Sequence, residues 1–162
     1  MGTRRAVLQH EGGMRFSATT GSGRSITFGD AITLDEQSPV EIVAAALAAC
    51  TAMDVVSIME KKRQVVESYT VTVEAVQRGE YPQVLTSIVL VHDVVGPDVT
   101  EDAVRRCIDL SATKYCPVSA MLSAGDTEIH HRYRVRGTGT RPFEAEGEVI
   151  VTGPFRRPEI VA

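Results

Sequence analysis

Three cysteines, Cys50, Cys107 and Cys116, carry the thiol chemistry open to this sequence. Their spacing matches no CxxC pair and no paired metal-ligand pattern. An odd count with no secretory-signal pattern argues against a structural disulfide framework. What remains is small buried hydrophobes or redox thiols. Cys116 has a local reason to react. It stands at the N-cap position before Pro117, so first-turn amides and the helix dipole favour its thiolate. Lys114 adds positive charge close by in sequence. Cys50 lies mid-helix among alanines, where apolar burial raises a thiol pKa. A reactive Cys50 therefore needs a cation from elsewhere. Cys107 shares a helical face with Val104, Ile108 and Ser111, which reads as core packing.

Other chemistry has little support. His130 and His131 are adjacent in a predicted strand and face opposite ways. His10 and His92 are scattered, so no zinc site is expected. No Ser-His-Asp order and no glycine-rich phosphate loop is present. No cofactor or metal is expected.

The elements that must position the cysteines are marked locally. Ser38-Pro39-Val40-Glu41 matches a capping box, with Ser38 as N-cap and Pro39 as the first helical residue. The alanine-rich segment behind it has high helix propensity. Its apolar residues lie all round, the pattern of a central, enclosed helix ending near Glu60 to Arg63. Before it, Ala6 to Leu8, Arg15 to Thr19 and Ser25 to Phe28 read as three strands. After it, Tyr69 to Val76 and Leu85 to Val95 read as two strands around a hairpin at Gly79 to Pro82. Thr100 caps a second helix running to about Thr113. A short third helix opens at Cys116, and a strand from Glu128 to Val135 closes the domain. The order predicts an α+β fold. One domain over 1–136 is expected, followed by an extension over 137–162 with room for one exposed strand.

The totals agree with a single globular domain: 162 residues, 43% of them hydrophobic. The net charge of -4 gives no basic surface for nucleic acid. Aromatics at 5% and the absence of Trp give few stacking platforms. The longest apolar stretch, Ile42 to Met59, carries Asp54, so a buried helix is expected rather than a membrane span. The expected compartment is the cytoplasm.

Two motifs together resemble the OsmC/Ohr family. Ser38-Pro39-Val40-Glu41 followed by Ala44 to Cys50 resembles its first cysteine helix. Lys114-Tyr115-Cys116-Pro117-Val118-Ser119 resembles its second cysteine motif. Asp54 to Ile58 and Asp109 to Cys116 are most similar to the YhfA-like branch. The resemblance covers about Leu8 to Val135. It implies antiparallel sheets wrapped around two long central helices in an intertwined homodimer, with sites shared between subunits. It further implies that Cys50 attacks organic hydroperoxides, that Cys116 closes an intramolecular disulfide, and that a dithiol or lipoylated protein reduces it.

The resemblance also assigns an assisting arginine and glutamate, and here both are displaced by one residue. The arginine follows Gly-Gly in the family; here Met14 follows Gly12-Gly13 and Arg15 comes next. A one-residue shift in a strand turns a side chain to the opposite face unless a bulge corrects it. The glutamate position falls on Val40, with Glu41 next to it. At about 100° per residue, Glu41 and Cys50 lie roughly 180° apart on one straight helix. Glu41 has a capping role that needs no chemistry. Asp54, four residues after Cys50, does share its face.

Two functional readings stay open, beside a third possibility of a purely structural thiol protein. One is a cysteine peroxidase using Cys50, Cys116, Arg15 and Glu41. The other is a non-enzymatic dimer that binds a small apolar or thiol-containing ligand.

Overall fold

A computed structural model describes residues 2–30 and 36–151. The chain divides into two units, Met1–Val43 and Ala44–Ala162.

The first unit is a three-stranded antiparallel meander of β1 (Ala6–Gly12), β2 (Arg15–Thr20) and β3 (Ser25–Phe28), in the order β1-β2-β3. Gly12 and Gly13 turn the first hairpin at φ values of 106° and 56°, a region that suits glycine. The β1–β2 register slips between His10 and Gly12. The extra residue is Glu11, on β1, so the alternation along β2 is intact. Every residue of β1 is exposed.

Helix α1 (Pro39–Lys61) starts in the first unit and runs on into the second. Its start has a specific cause. The Ser38 amide donates to the Glu41 carboxylate at 2.6 Å, and the Glu41 amide donates to the Ser38 hydroxyl at 3.2 Å. Both halves of the capping box are therefore made. By length and composition α1 is also apolar enough to cross a membrane. In the fold, one stripe of it is buried: Ala44, Leu47, Ala48, Thr51, Val55 and Met59. These fall at the three- and four-residue steps of a single helical face. The expected enclosure on all sides is not met within one chain. Met53 is 74% exposed and Val56 is also exposed.

The second unit adds a four-stranded sheet in sequential order: β4 (Ser68–Gln77), β5 (Leu85–Gly96), β6 (Glu128–Gly137) and β7 (Phe143–Val151). The expectation of purely antiparallel sheets is corrected at one pair, because β5 and β6 run parallel. The helical crossover between them allows this, since parallel neighbours need a long connection. The predicted closing strand β6 is an interior one. β7, from the segment read as an extension, pairs with it antiparallel from Ile129–Val151 to Gly137–Phe143.

The crossover holds α2 (Glu101–Leu110), a π turn over Ser111–Tyr115, and α3 (Pro117–Leu122). Thr100 caps α2 by accepting the Ala103 amide at 3.3 Å. The core joins Val55 and Met59 of α1, Val104, Cys107 and Ile108 of α2, and Val94, Tyr133 and Val135 of the sheet. Cys107 is thus a packing residue, as its helical face predicts.

Candidate active site

Cys50 and Cys116 lie 66 positions apart in the chain, yet the fold brings their sulfurs together. Cys50 Sγ, Cys116 Sγ and an Asp54 carboxylate oxygen all lie within 4.8 Å of one another. Two elements make this pairing. α1 places Cys50 and Asp54 one turn apart on the same face. The π turn ends at Cys116, whose amide donates back to the Ser111 carbonyl at 2.9 Å. Its five-residue step sets where α3 begins.

Cys116 is the N-cap of α3, as the sequence predicts. Its sulfur accepts the Ser119 amide at 3.3 Å and lies 3.8 Å from the Thr51 hydroxyl, which donates toward it. It is only 2% exposed, whereas Cys50 is half-buried. Of the two sulfurs, Cys50 is the one that solvent reaches more readily.

Cys50 is held in its protonated form. Burial, first, pushes its thiol up to about 11, and the hydrogen bond to the Cys116 side chain pushes the same way. The charges of Cys116 and Asp54 add smaller upward pushes, while the Val118 backbone hydrogen bond pulls down. Among the described residues, no cation acts on the Cys50 thiol. The downward pull is one the sequence did not reveal. It comes from the first turn of α3, the element that also serves Cys116.

Asp54 is fixed in turn by the buried Ser111 hydroxyl, which donates to its Oδ2 at 2.9 Å. Ser111 counted in the sequence only as one of a buried face, and its 57-residue separation from Asp54 hides the contact. Arg15 and Glu41 have other partners in the first unit. The Arg15 guanidinium pairs with Glu36 at 3.2 Å, and Glu41 closes the capping box on Ser38.

Sequence reasoning also missed a polar string in the sheet. The Tyr69 hydroxyl lies 2.8 Å from His92 Nδ1, and His92 Nε2 lies 3.1 Å from His131 Nδ1. Both histidines are fully buried, and His131 Nε2 has no hydrogen-bond partner among the described residues. The signal was there in part, since all three residues occupy predicted strands. The parallel pairing of β5 with β6 that brings them together was not legible. His130 faces the other way, toward Glu128 and Glu148.

Comparison with known proteins gives concordant matches. The family model described as OsmC-like protein matches residues 33–139. Protein YhfA of Escherichia coli is 39% identical over 123 residues, covering 76% of this chain and 91% of that protein. A hypothetical protein from Aquifex aeolicus superposes with a TM-score of 0.73 at 27% identity, covering 83% of this chain and 97% of the other. An organic hydroperoxide resistance protein from Elizabethkingia anophelis superposes at 0.61 with 18% identity, covering 80% and 93%. At that identity the last match speaks for the fold alone.

Proposed function

This chain belongs to the OsmC-like protein family, and from that premise we propose that it is a dithiol peroxidase acting on organic hydroperoxides. The observation that carries the reading is the sulfur pair, Cys50 Sγ and Cys116 Sγ within 4.8 Å. Two thiols at that range form a disulfide after small side-chain rotations. A solved relative of the same fold is named as an organic hydroperoxide resistance protein.

In this reading Cys50, the more accessible sulfur, attacks. Its thiolate takes the outer oxygen of the hydroperoxide, becoming a sulfenic acid, and the O–O bond breaks to release an alkoxide that takes a proton as alcohol. Cys116 then attacks the sulfenic sulfur, closing the disulfide and releasing water. A dithiol such as a lipoylated protein restores both thiols, leaving its own disulfide. Cys116 suits the second role because its sulfur is already held by Ser119 and Thr51.

The raised Cys50 thiol demands an activating cation, and a homodimer is the natural source. Exposed Met53 and Val56 on α1 and the wholly exposed strand β1 support such an assembly. Arg15 is the proposed cation, and Glu41 its proposed carboxylate partner, reaching a site shared between subunits. A reducing cytoplasm is the compartment this chemistry calls for.

The test is stopped-flow reduction of cumene hydroperoxide by the wild type and by Cys50→Ser, with dihydrolipoamide as reductant. Fast turnover in the wild type and its loss in Cys50→Ser are expected. An equally slow reaction in both would sink the proposal. The protonated Cys50 favours a second reading, a dimer that binds a small apolar or thiol-containing ligand without turnover. Native mass spectrometry of protein taken directly from cells distinguishes it by a retained mass.

A further inference from the structure

We propose that, in the reduced state, Cys50, Asp54 and Cys116 form a binding site for one thiophilic divalent cation of the zinc class. The argument is geometric. Two sulfurs and one carboxylate oxygen lie mutually within 4.8 Å. Tetrahedral zinc, with bonds of about 2.0–2.3 Å, keeps such ligands roughly 3.3–3.8 Å apart. Rotamer-scale adjustment closes that gap.

The three ligands come from structure that is already fixed. Cys50 and Asp54 project from consecutive turns of α1. Cys116 is pinned at the head of α3 by the Ser119 amide, and Asp54 is oriented by the Ser111 hydroxyl. Ser111 binds only Oδ2 and serves as the outer-shell group that aims the carboxylate. The fourth position is left for water or a small thiol, reached from the side on which Cys50 is open to solvent.

The ligand types choose the metal class. Two thiolates select zinc or a similarly soft ion over calcium or magnesium, which take oxygen ligands. Charge argues the same way. Deprotonated, the three groups carry three negative charges, no cation among the described residues acts on the Cys50 thiol, and a divalent cation supplies two positive charges. On binding, each protonated thiol gives its proton to solvent and two sulfur–metal bonds form.

A ligated sulfur has no free thiolate to attack a peroxide or close a disulfide. Metal and oxidant therefore compete for the same two sulfurs, and the metal acts as a reversible guard on the pair. The guarding role rests on the peroxidase reading, whereas the binding itself does not.

The experiment titrates the full-length reduced protein with zinc alone against a chromogenic chelator, anaerobically. One zinc per chain is expected. Cys50→Ser and Cys116→Ser should each lose binding by more than about 100-fold, and Ser111→Ala by about 10-fold, as outer-shell partners do. Circular dichroism checks that each variant is folded. A second readout uses the wild type only: saturating zinc should slow iodoacetamide labelling of Cys50, mapped by peptide mass. Tight binding that persists in the Cys50→Ser/Cys116→Ser double variant, or Cys50 labelling indifferent to zinc, overturns the proposal. A wild type that turns over hydroperoxide but binds no zinc overturns this inference alone. Zinc binding without turnover overturns only the peroxidase reading.

Discussion

The Ser111 hydroxyl donates to Asp54 Oδ2 at 2.9 Å and so ties the π turn to α1 across the cysteine pair. Ser111 is fully buried, while Asp54 stays partly open to solvent. Ser111→Ala removes the donor, and solvent at the partly exposed carboxylate offsets part of the loss, leaving a cost of about 0.5–1.5 kcal/mol. Urea unfolding should show this as a lower midpoint with an unchanged slope. An unshifted midpoint would mean that the contact is idle.

The buried histidines make stability depend on pH. Burial, first, holds His92 down at about 4 and His131 at about 3, with the charges of His92 and His130 adding to the effect on His131. Both ordinary values are 6.5. Between the folded and unfolded values, the unfolded chain binds more protons, so stability rises with pH. Their contribution is complete above about pH 6.5 and is lost as pH falls toward about 4 for His92 and about 3 for His131. Each histidine adds a slope of up to about 1.4 kcal/mol per pH unit in that window. Urea midpoints at pH 7, 6 and 5 measure it, and His131→Phe should flatten the profile.

Cys107 should be silent toward thiol reagents. It is fully buried, and burial pushes its thiol up to about 11 despite a downward pull from Lys62. Iodoacetamide should leave it unmodified in the native protein, while urea-unfolded protein takes up three labels, one for each free cysteine. Rapid native labelling of Cys107 would contradict the packing of α2.

Met53 tests the assembly. At 74% exposure its replacement by Glu costs the isolated chain little. In a dimer that buries this face, the same change places a carboxylate in an apolar contact. Sedimentation velocity should therefore show a dimer for the wild type and a monomer for Met53→Glu. A monomeric wild type would remove the proposed source of the activating cation.

Local signals made much of the fold legible. Ser38 and Glu41 write the start of α1 within four residues, and Thr100 and Cys116 mark their helices in the same way. What escaped depends on distant partners. Cys116 and the Val118 backbone reach Cys50 from the head of α3, so its own helix could not reveal them. His92 and His131 meet because β5 and β6 are parallel neighbours, a pairing that strand patterns do not specify. Asp54 shared the face of Cys50 in the sequence, but the partner that fixes it was hidden until the crossover folded over α1.

The π turn gives the cysteine pair an unusual dependence on how the chain is wound. Ser111–Tyr115 is wound one residue looser than an α-helical turn. Wound with ordinary α geometry, the same five residues would carry everything after them round by up to about 100°. Cys116 would keep its place before Pro117 and its own helix cap, yet its sulfur would swing away from Cys50. The chain would retain both motifs and lose the juxtaposition. In a protein of this design, two intact signatures in a relative's sequence do not guarantee a working pair; the winding of the residues leading into the second must also agree.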